Sequence, residues 1–393
     1  MTDTTTMPPM ELEDTFTLPT YPKPPVALVR GANTTVWDTD GRAYLDFYGG
    51  HCVALLGHCP PRVVAAVQEQ AATLMFYSNA MYSPVRARAA EALVGLAPDG
   101  LGHAFFCNSG SEANETALKL ARTHTGRPGV VAMHGGFHGR TLGALATTSG
   151  AGYRAPYLDV LPPTRFVPFG WEGAVEEALA AGDVAAVIVE PIQSMAGVTE
   201  ARPDYYRALR RLCDAAGTVL IFDEVQTGVG RTGTFSYGEH VGVTPDLITL
   251  AKSLGAGVPV GAVLVSDAIA AGVKSGDQGT TFGGGMLAMA AVEATLAQLV
   301  DDGLMPRALT LFDRLKAGAE AIPGVVRVQG RGGLIGIVLD RPTKPVVADL
   351  RGLGVIAGGS DDAHTMRIMP PLTTTDAEVD AFLDALTTAL AMP

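Results

Sequence analysis

Cysteine is scarce: the 393 residues hold four, Cys52, Cys59, Cys107 and Cys213, with no C-x-x-C pair among them. That excludes a disulfide framework and points to a reducing, cytoplasmic setting. Charge is also thin, at 17% of residues, and the balance is acidic, with 28 Lys and Arg against 40 Asp and Glu. A nucleic-acid groove needs a clustered basic footprint, which this balance argues against. No stretch approaches the roughly 18 uninterrupted apolar residues of a membrane span. The N-terminal MTDTTTMPPMELEDTFTLPT has neither a basic region nor an apolar core, so it does not read as a signal peptide. Its first residues are expected to form a mobile arm or a strap on a partner. No repeat occurs at solenoid periods.

Apolar residues are plentiful, at 47%, and a chain this long can bury a large core. The 47 Gly and 26 Pro are dispersed, as expected of many tight turns. Residues 34–47 read TTVWDTDGRAYLDF, two alternating runs around Asp40-Gly41 that predict a hairpin with both central positions at positive φ. Beyond about residue 60 helical stretches (Arg62 to Thr73, Pro84 to Leu96) alternate with short apolar runs. Those runs are Val130–Met133, Val184–Val189, Thr218–Phe222, Leu247–Leu250 and Gly261–Val265, as expected of strands buried on both faces of a mainly parallel sheet. After a helical region at 285–318, strands are expected at Val325–Gln329 and Leu334–Leu339. A last helix over Asp376–Ala391 opens on a capping box, Thr375-x-x-Glu378, and carries Val379, Phe382, Leu383, Leu386 and Leu390 on one stripe. The expected division is an N-terminal arm and hairpin (1–58), a large α/β domain (59–292) and a small C-terminal domain (293–393).

Two patterns point elsewhere. Gly228-Val229-Gly230-Arg231-Thr232-Gly233 is a literal G-x-G-x-x-G, but it follows no strand directly and opens no helical pattern, so a dinucleotide site is not expected. His51-Cys52 and His58-Cys59 match no common zinc spacing, and the Gly135-Gly136 pair between His134 and His138 favours a loop. No metal is expected.

Three strand ends carry chemistry. Phe105-Phe106-Cys107 runs into Asn108-Ser109-Gly110-Ser111-Glu112, where Ser109 and Glu112 have capping-box spacing. Free N–H groups, a positive dipole end and Gly110 make either a phosphate cradle or an ordinary capped helix. Val219 to Phe222 delivers Asp223 to the carboxyl end of a buried strand, where α/β sheets bind ligands; a carboxylate there pairs with a cation or caps a turn. Leu247 to Leu250 ends beside Lys252, either a snorkelled surface group or an amine activated by desolvation.

Together these residues resemble the class III (ornithine/acetylornithine-type) aminotransferases, pyridoxal-phosphate enzymes of fold type I. The resemblance runs from about Tyr21 to about Leu372, through NSGSEANE, GFHGRTLGAL, VEPIQ, FDEVQTGVGRTG, LAKSLGAG, GTTFGG and MRIMPPL in the family's order. It implies an α/β fold, with a large domain on a mainly parallel seven-stranded sheet and a smaller C-terminal α/β domain. It implies Lys252 as the Schiff-base lysine and proton shuttle, and Asp223 as the partner of the pyridinium nitrogen. Gln226 would bond the phenolic oxygen, and Phe137 and Val225 would flank the ring. Ser109, Gly110 and Ser111 would hold the phosphate, and Glu190 would also contact the cofactor. Thr281 would reach the same phosphate from the other subunit, which implies a homodimer with shared sites, alone or paired into a tetramer. Arg140 and Arg367 match two arginines that hold substrate carboxylates; the alternative for each is a surface ion pair. Tyr21 matches a tyrosine at the donor's amino-acid end or is a packing residue, and His51 stands where relatives vary for substrate choice.

The implied reaction moves an amino group from an amino acid or ω-amine to a 2-oxo acid, 2-oxoglutarate being expected, by a ping-pong route. Isomerising relatives (aminomutases, racemases, epimerases) and a non-catalytic cofactor-binding regulator are the alternatives. One departure stands out. The family's VEPIQ continues Gly-Glu, and its glutamate pairs with the arginine at 367; here Ser194-Met195 follows, and Met195 cannot form that pair. Either another group holds Arg367 or the donor uses it directly. Gly283-Gly284-Gly285-Met286 likewise replaces the usual Gly-Gly-Asn-Pro.

Overall fold

A computed structural model describes residues 7–392. Three strands come first, β1 (Leu28–Ala32), β2 (Thr35–Asp38) and β3 (Ala43–Asp46). Then follow β4 (His103–Cys107), β5 (Gly129–Met133), β6 (Thr164–Val167) and β7 (Val184–Val189). A small hairpin of β8 (Ile192–Gln193) and β9 (Thr199–Glu200) precedes β10 (Val219–Asp223), β11 (Leu247–Leu250) and β12 (Gly261–Val265). The C-terminal third adds β13 (Val325–Arg331), β14 (Leu334–Leu339), β15 (Val355–Ile356) and β16 (Thr365–Ile368).

The central sheet has seven strands in the order β4-β12-β11-β10-β7-β5-β6. Its neighbours pair in parallel except β12, which runs antiparallel to β4 and to β11. Every residue of β5, β7, β10, β11 and β12 is buried. Their near-continuous Val, Ile and Leu content follows from that: with helices on both faces, neither side of the strand meets water.

Because β4, β5, β7, β10 and β11 share one direction, their carboxyl ends lie along one edge. A second sheet, β1-β2-β3-β15, joins the N-terminal hairpin to the C-terminal third through β3 and β15 in parallel. A third, β13-β14-β16, packs beneath the last helix, Asp376–Ala391. There Phe47 stacks on Phe382 with ring centroids 4.6 Å apart, tying the hairpin to the C-terminal core.

Two local expectations need correction, at the hairpin turn and at the Ser109–Glu112 box. The hairpin forms, but only Gly41 takes a positive φ, at +81°. Its N–H bonds back to the Asp38 carbonyl, and Asp38 also accepts from the Asp40 and Arg42 amides, so a wider turn replaces the two-residue one. In the expected mobile arm, Pro9–Phe16 is a helix with no buried residue; residues 1–6 lie outside the described residues. The Ser109–Glu112 box forms by half. Ser109 Oγ accepts the Glu112 N–H at 3.2 Å, but the Glu112 carboxylate turns upstream to the Asn108 N–H. The Thr375–Glu378 box is complete. Residues 228–233 are buried turns, and His134 to Arg140 is a loop. His58 bonds Asp46 at 2.7 Å, and no metal-binding group occurs among the described residues.

Candidate active site

The shared edge of the central sheet opens a cavity of about 410 Å³. Past β4 the chain supplies Ser109, Gly110 and Ser111; past β5, Phe137 and His138; past β7, Glu190. The end of β10 and the turn after it supply Asp223, Val225 and Gln226, and the turn after β11 supplies Lys252. Ten of the expected site residues thereby divide sharply: all but Thr281 of the cofactor set line this cavity, while Thr281 does not.

Gly110 starts the helix Gly110–Thr125, so its free amides face the cavity. A Cβ at Gly110 would meet the Val225 methyls at 2.9 and 3.0 Å, so the close approach requires glycine. Ser111 Oγ accepts the Arg140 backbone N–H at 3.3 Å, which ties the cradle to the loop after β5.

Lys252 sits at φ +39°, in the left-handed region that non-glycine residues rarely adopt. Such a residue costs about 1–2 kcal/mol, and the adjoining buried strand keeps it in place. Desolvation pulls its amine below the ordinary lysine range, although Cys52, Asp223 and Glu190 act in the other direction. The neutral, nucleophilic form is thereby favoured.

Asp223 is held from three sides. Oδ2 lies 2.7 Å from His138 Nδ1 and accepts Asn114 Nδ2 at 2.8 Å; Oδ1 accepts the Val225 N–H at 3.1 Å. Asn114 is anchored in turn by Thr249 Oγ1 at 2.7 Å and reaches the His138 carbonyl at 2.7 Å. Glu190 accepts the Phe137 N–H at 2.7 Å and so fixes the loop that carries Phe137. Burial pushes its carboxyl up to about 7, a rise that Asp223 increases and His138 opposes. Two buried polar atoms at the cavity find no partner among the described residues, Gln226 Oε1 and His138 Nε2.

His51, two residues before the cavity-lining Val53, stands on an unusual turn. Gly49, Gly50, His51 and Cys52 all have positive φ, between 57° and 66°, giving one left-handed turn. The Asp46 carboxylate holds its start by accepting the N–H groups of Tyr48, Gly49 and Gly50 at 2.8–3.0 Å. The His51 ring packs edge-on to Tyr48. Much of the residue's surface is open, yet its ring sits deep enough that desolvation pushes it down to about 4. Lys252 and Arg367 add to that fall, so His51 is neutral at ordinary pH.

Arg367, on β16, is 2% exposed. It donates to the Gly359 carbonyl at 2.6 Å, to Ser194 Oγ at 3.0 Å and to the Tyr48 hydroxyl at 3.1 Å. The group that holds it in place of the missing glutamate is therefore a neutral clamp. Arg140, by contrast, is exposed at the rim, with its guanidinium 4.1 Å above the Tyr153 ring. Tyr21 is 78% exposed, and Thr281 is also exposed; within a single chain neither reaches the cavity. His138, Asn114, Ser194 and Tyr48 were given no role in the site from the sequence. His138 and Asn114 stand inside the GFHGR and SEANE motifs, which was the available signal.

Pyridoxal phosphate fits this donor set. The open helix N-terminus suits a phosphate, the anchored carboxylate suits a ring N–H, and the Gln226 side chain, whose Oε1 has no partner among the described residues, and a desolvated lysine amine complete it.

Comparison with known proteins follows the same line. The profile described as "Aminotransferase class-III" matches residues 18–390. The acetylornithine aminotransferase of Methanopyrus kandleri is 42% identical over 97% of this chain and 98% of its own. That of Streptomyces coelicolor is 44% identical over 93% of this chain and 91% of its own. Among solved structures, the ornithine aminotransferase of Toxoplasma gondii, with pyridoxal phosphate at partial occupancy in its active site, superposes with a TM-score of 0.90. It is 30% identical and covers 97% of this chain and 92% of its own.

Proposed function

We propose, on the premise that this chain belongs to the class-III aminotransferases, how its own residues carry the family's reaction. It is a pyridoxal-phosphate-dependent enzyme that moves an amino group from an amino-acid or ω-amine donor to a 2-oxo acid. The observation that carries the assignment of roles is the convergence of Lys252, Asp223 and the amide-bearing start of the helix Gly110–Thr125 on one cavity.

When bound, the cofactor supplies a carbonyl that takes up the amino group and a ring that accepts electrons from the substrate carbon. Gly110 and Ser111 hold its phosphate at the helix N-terminus, with Ser109 capping that helix. Phe137 and Val225 would flank its ring, and Glu190 steadies the Phe137 loop. Asp223, fixed by His138 and Asn114, receives the ring N–H. Gln226 bonds the ring oxygen. Lys252, its amine biased to the neutral form, anchors the cofactor. Its Nζ would also be the group that takes and returns the proton at the substrate carbon.

Arg367 holds a substrate carboxylate, and Arg140 is a second candidate at the rim. Two cationic grips suit a dicarboxylic acceptor, so 2-oxoglutarate is the acceptor we assign. His51 and Tyr21 shape the donor side. Thr281 completes the phosphate site of a second copy; the exposed Phe76, Tyr77, Tyr82 and Phe282 offer the apolar surface such a homodimer needs. Four free cysteines suit a reducing cytosol. No helix among the described residues is long and apolar enough to cross a membrane.

Borohydride reduction of the cofactor-loaded protein, followed by peptide mass mapping, tests the assignment. The cofactor mass is expected on Lys252; its appearance on another lysine would overturn the assignment.

A further inference from the structure

Two arginines are almost wholly inside the protein, Arg231 and Arg367. Arg231 is closed in between protein layers, donating to the carbonyls of Gly333 and Pro370. Arg367 differs because its partners adjoin the site: Ser194 follows the cavity-lining Glu190 by four residues, and Tyr48 opens the turn whose Cys52 carbonyl accepts Ser253 Oγ, next to Lys252. Every partner it has among the described residues is neutral, one carbonyl and two hydroxyls. The nearby acids are committed elsewhere. Asp362 accepts from Thr365 Oγ1 and the His364 N–H, Glu190 from the Phe137 N–H, and Asp361 is exposed. Met195, beside Ser194 and bonded through its carbonyl to the Asp361 N–H, supplies no charge.

A buried cation without an anion is costly, and hydroxyls orient it without neutralising it. Three of its five donor hydrogens go to the clamp, which leaves a guanidinium fixed in direction with donors to spare. Tyr48 is itself fixed, since its N–H is bound by Asp46 at the start of the left-handed turn.

We propose that Ser194 and Tyr48 clamp Arg367 as a cation with no internal counter-ion, so that the site demands a carboxylate from the substrate in both half-reactions. Donors are then amino acids, and simple mono- and diamines are excluded. This deepens the aminotransferase reading and rests on it. Ser194 and Tyr48 are positioning residues, acting through the arginine. A plain amine leaves the guanidinium desolvated and unpaired, and sites built around a polar partner reject analogues that lack it by large factors. A chain able to swing its own carboxylate onto the arginine would lose that demand; Met195 is where this chain forgoes it.

The test uses holoenzyme and matched pairs differing by one carboxylate: ornithine against putrescine, and lysine against cadaverine. Single-turnover rates are read without oxo acid, and binding of glutarate, which has neither amine nor oxo group, is read by calorimetry. In the unmodified enzyme the carboxylated member of each pair is expected to react at least about 100-fold faster. Met195→Glu should shrink that ratio at least about tenfold and weaken glutarate by a similar factor. Met195→Gln, similar in size but uncharged, should change neither. Ser194→Ala should weaken glutarate roughly fivefold. Putrescine reacting as fast as ornithine in the unmodified enzyme, or identical behaviour of the Glu and Gln variants, would overturn the proposal. Glutarate binding that responds to Met195→Glu while no donor turns over would support the unpaired cation and overturn the aminotransferase reading instead.

Discussion

Lys252 and Asp223 were readable as residues because each ends a buried apolar strand, and such strands deliver polar groups to one edge of the sheet. The network around Asp223 was less so. Its partners His138 and Asn114 stand 85 and 109 positions away in the chain, and only the fold brings them together. At this scale Lys252→Ala is expected to abolish turnover, checked by steady-state assay with the best donor. Asp223→Asn should still bind cofactor through the phosphate cradle while turnover falls by at least about 100-fold, the size of effect expected when a positioned charge is lost. An absorption titration beside the rate assay separates the two effects. Unchanged turnover in either variant would remove that residue from the machinery.

At the scale of elements, the buried strands β5, β7, β10, β11 and β12 were legible nearly to the residue, whereas the edge strand β6, whose burial alternates with exposure, was not among the expected runs. Their near-continuous apolar runs are short and bounded by glycine and polar residues, leaving little freedom in where a strand begins. The final helix announced itself through its capping box. Thr375→Ala should therefore cost about 1 kcal/mol, measured by denaturant unfolding. The left-handed turn at Gly49–Cys52 was not legible. Two of its four residues are not glycines, and the Asp46 carboxylate that holds the turn's start is a contact no local pattern announces. Gly49→Ala adds a methyl at φ +58°, directly against the Met369 carbonyl. We expect it to destabilise the protein by at least about 1 kcal/mol and to raise KM for the donor by displacing His51 and Tyr48.

For the whole molecule, composition spoke for a large buried core, and the order of strands and motifs spoke for the architecture. What one chain's sequence left implicit is the environment of its buried acids. Glu224 accepts from Ser236 Oγ, the Tyr237 N–H and Thr227 Oγ1, yet burial pushes its carboxyl up to about 7. The unfolded chain releases that proton near 4.5. Between these values the folded protein holds a proton that the unfolded chain has lost. The group's contribution to stability therefore falls as pH rises through that window, by at most about 3 kcal/mol. Glu224→Gln should remove this dependence. The Tm difference, unmodified protein minus variant, is expected to decline from pH 5 to pH 7; a constant difference would contradict the assigned shift. If Thr281 completes a second copy's site as proposed, the holoenzyme should sediment at two or four times the 40.7 kDa chain mass; a single chain mass would contradict the shared site.

Amino transfer itself is tested most directly by a stoichiometric half-reaction. Holoenzyme is mixed with an amino-acid donor and no oxo acid, the visible cofactor band is followed, and the carbonyl product is counted per site. The residues assigned here predict that the band bleaches, that one carbonyl product forms per site, and that 2-oxoglutarate restores the colour while gaining the nitrogen. A band that stays yellow while the donor is converted to an isomer, with no carbonyl product released, would contradict transamination and place the chemistry in an isomerase.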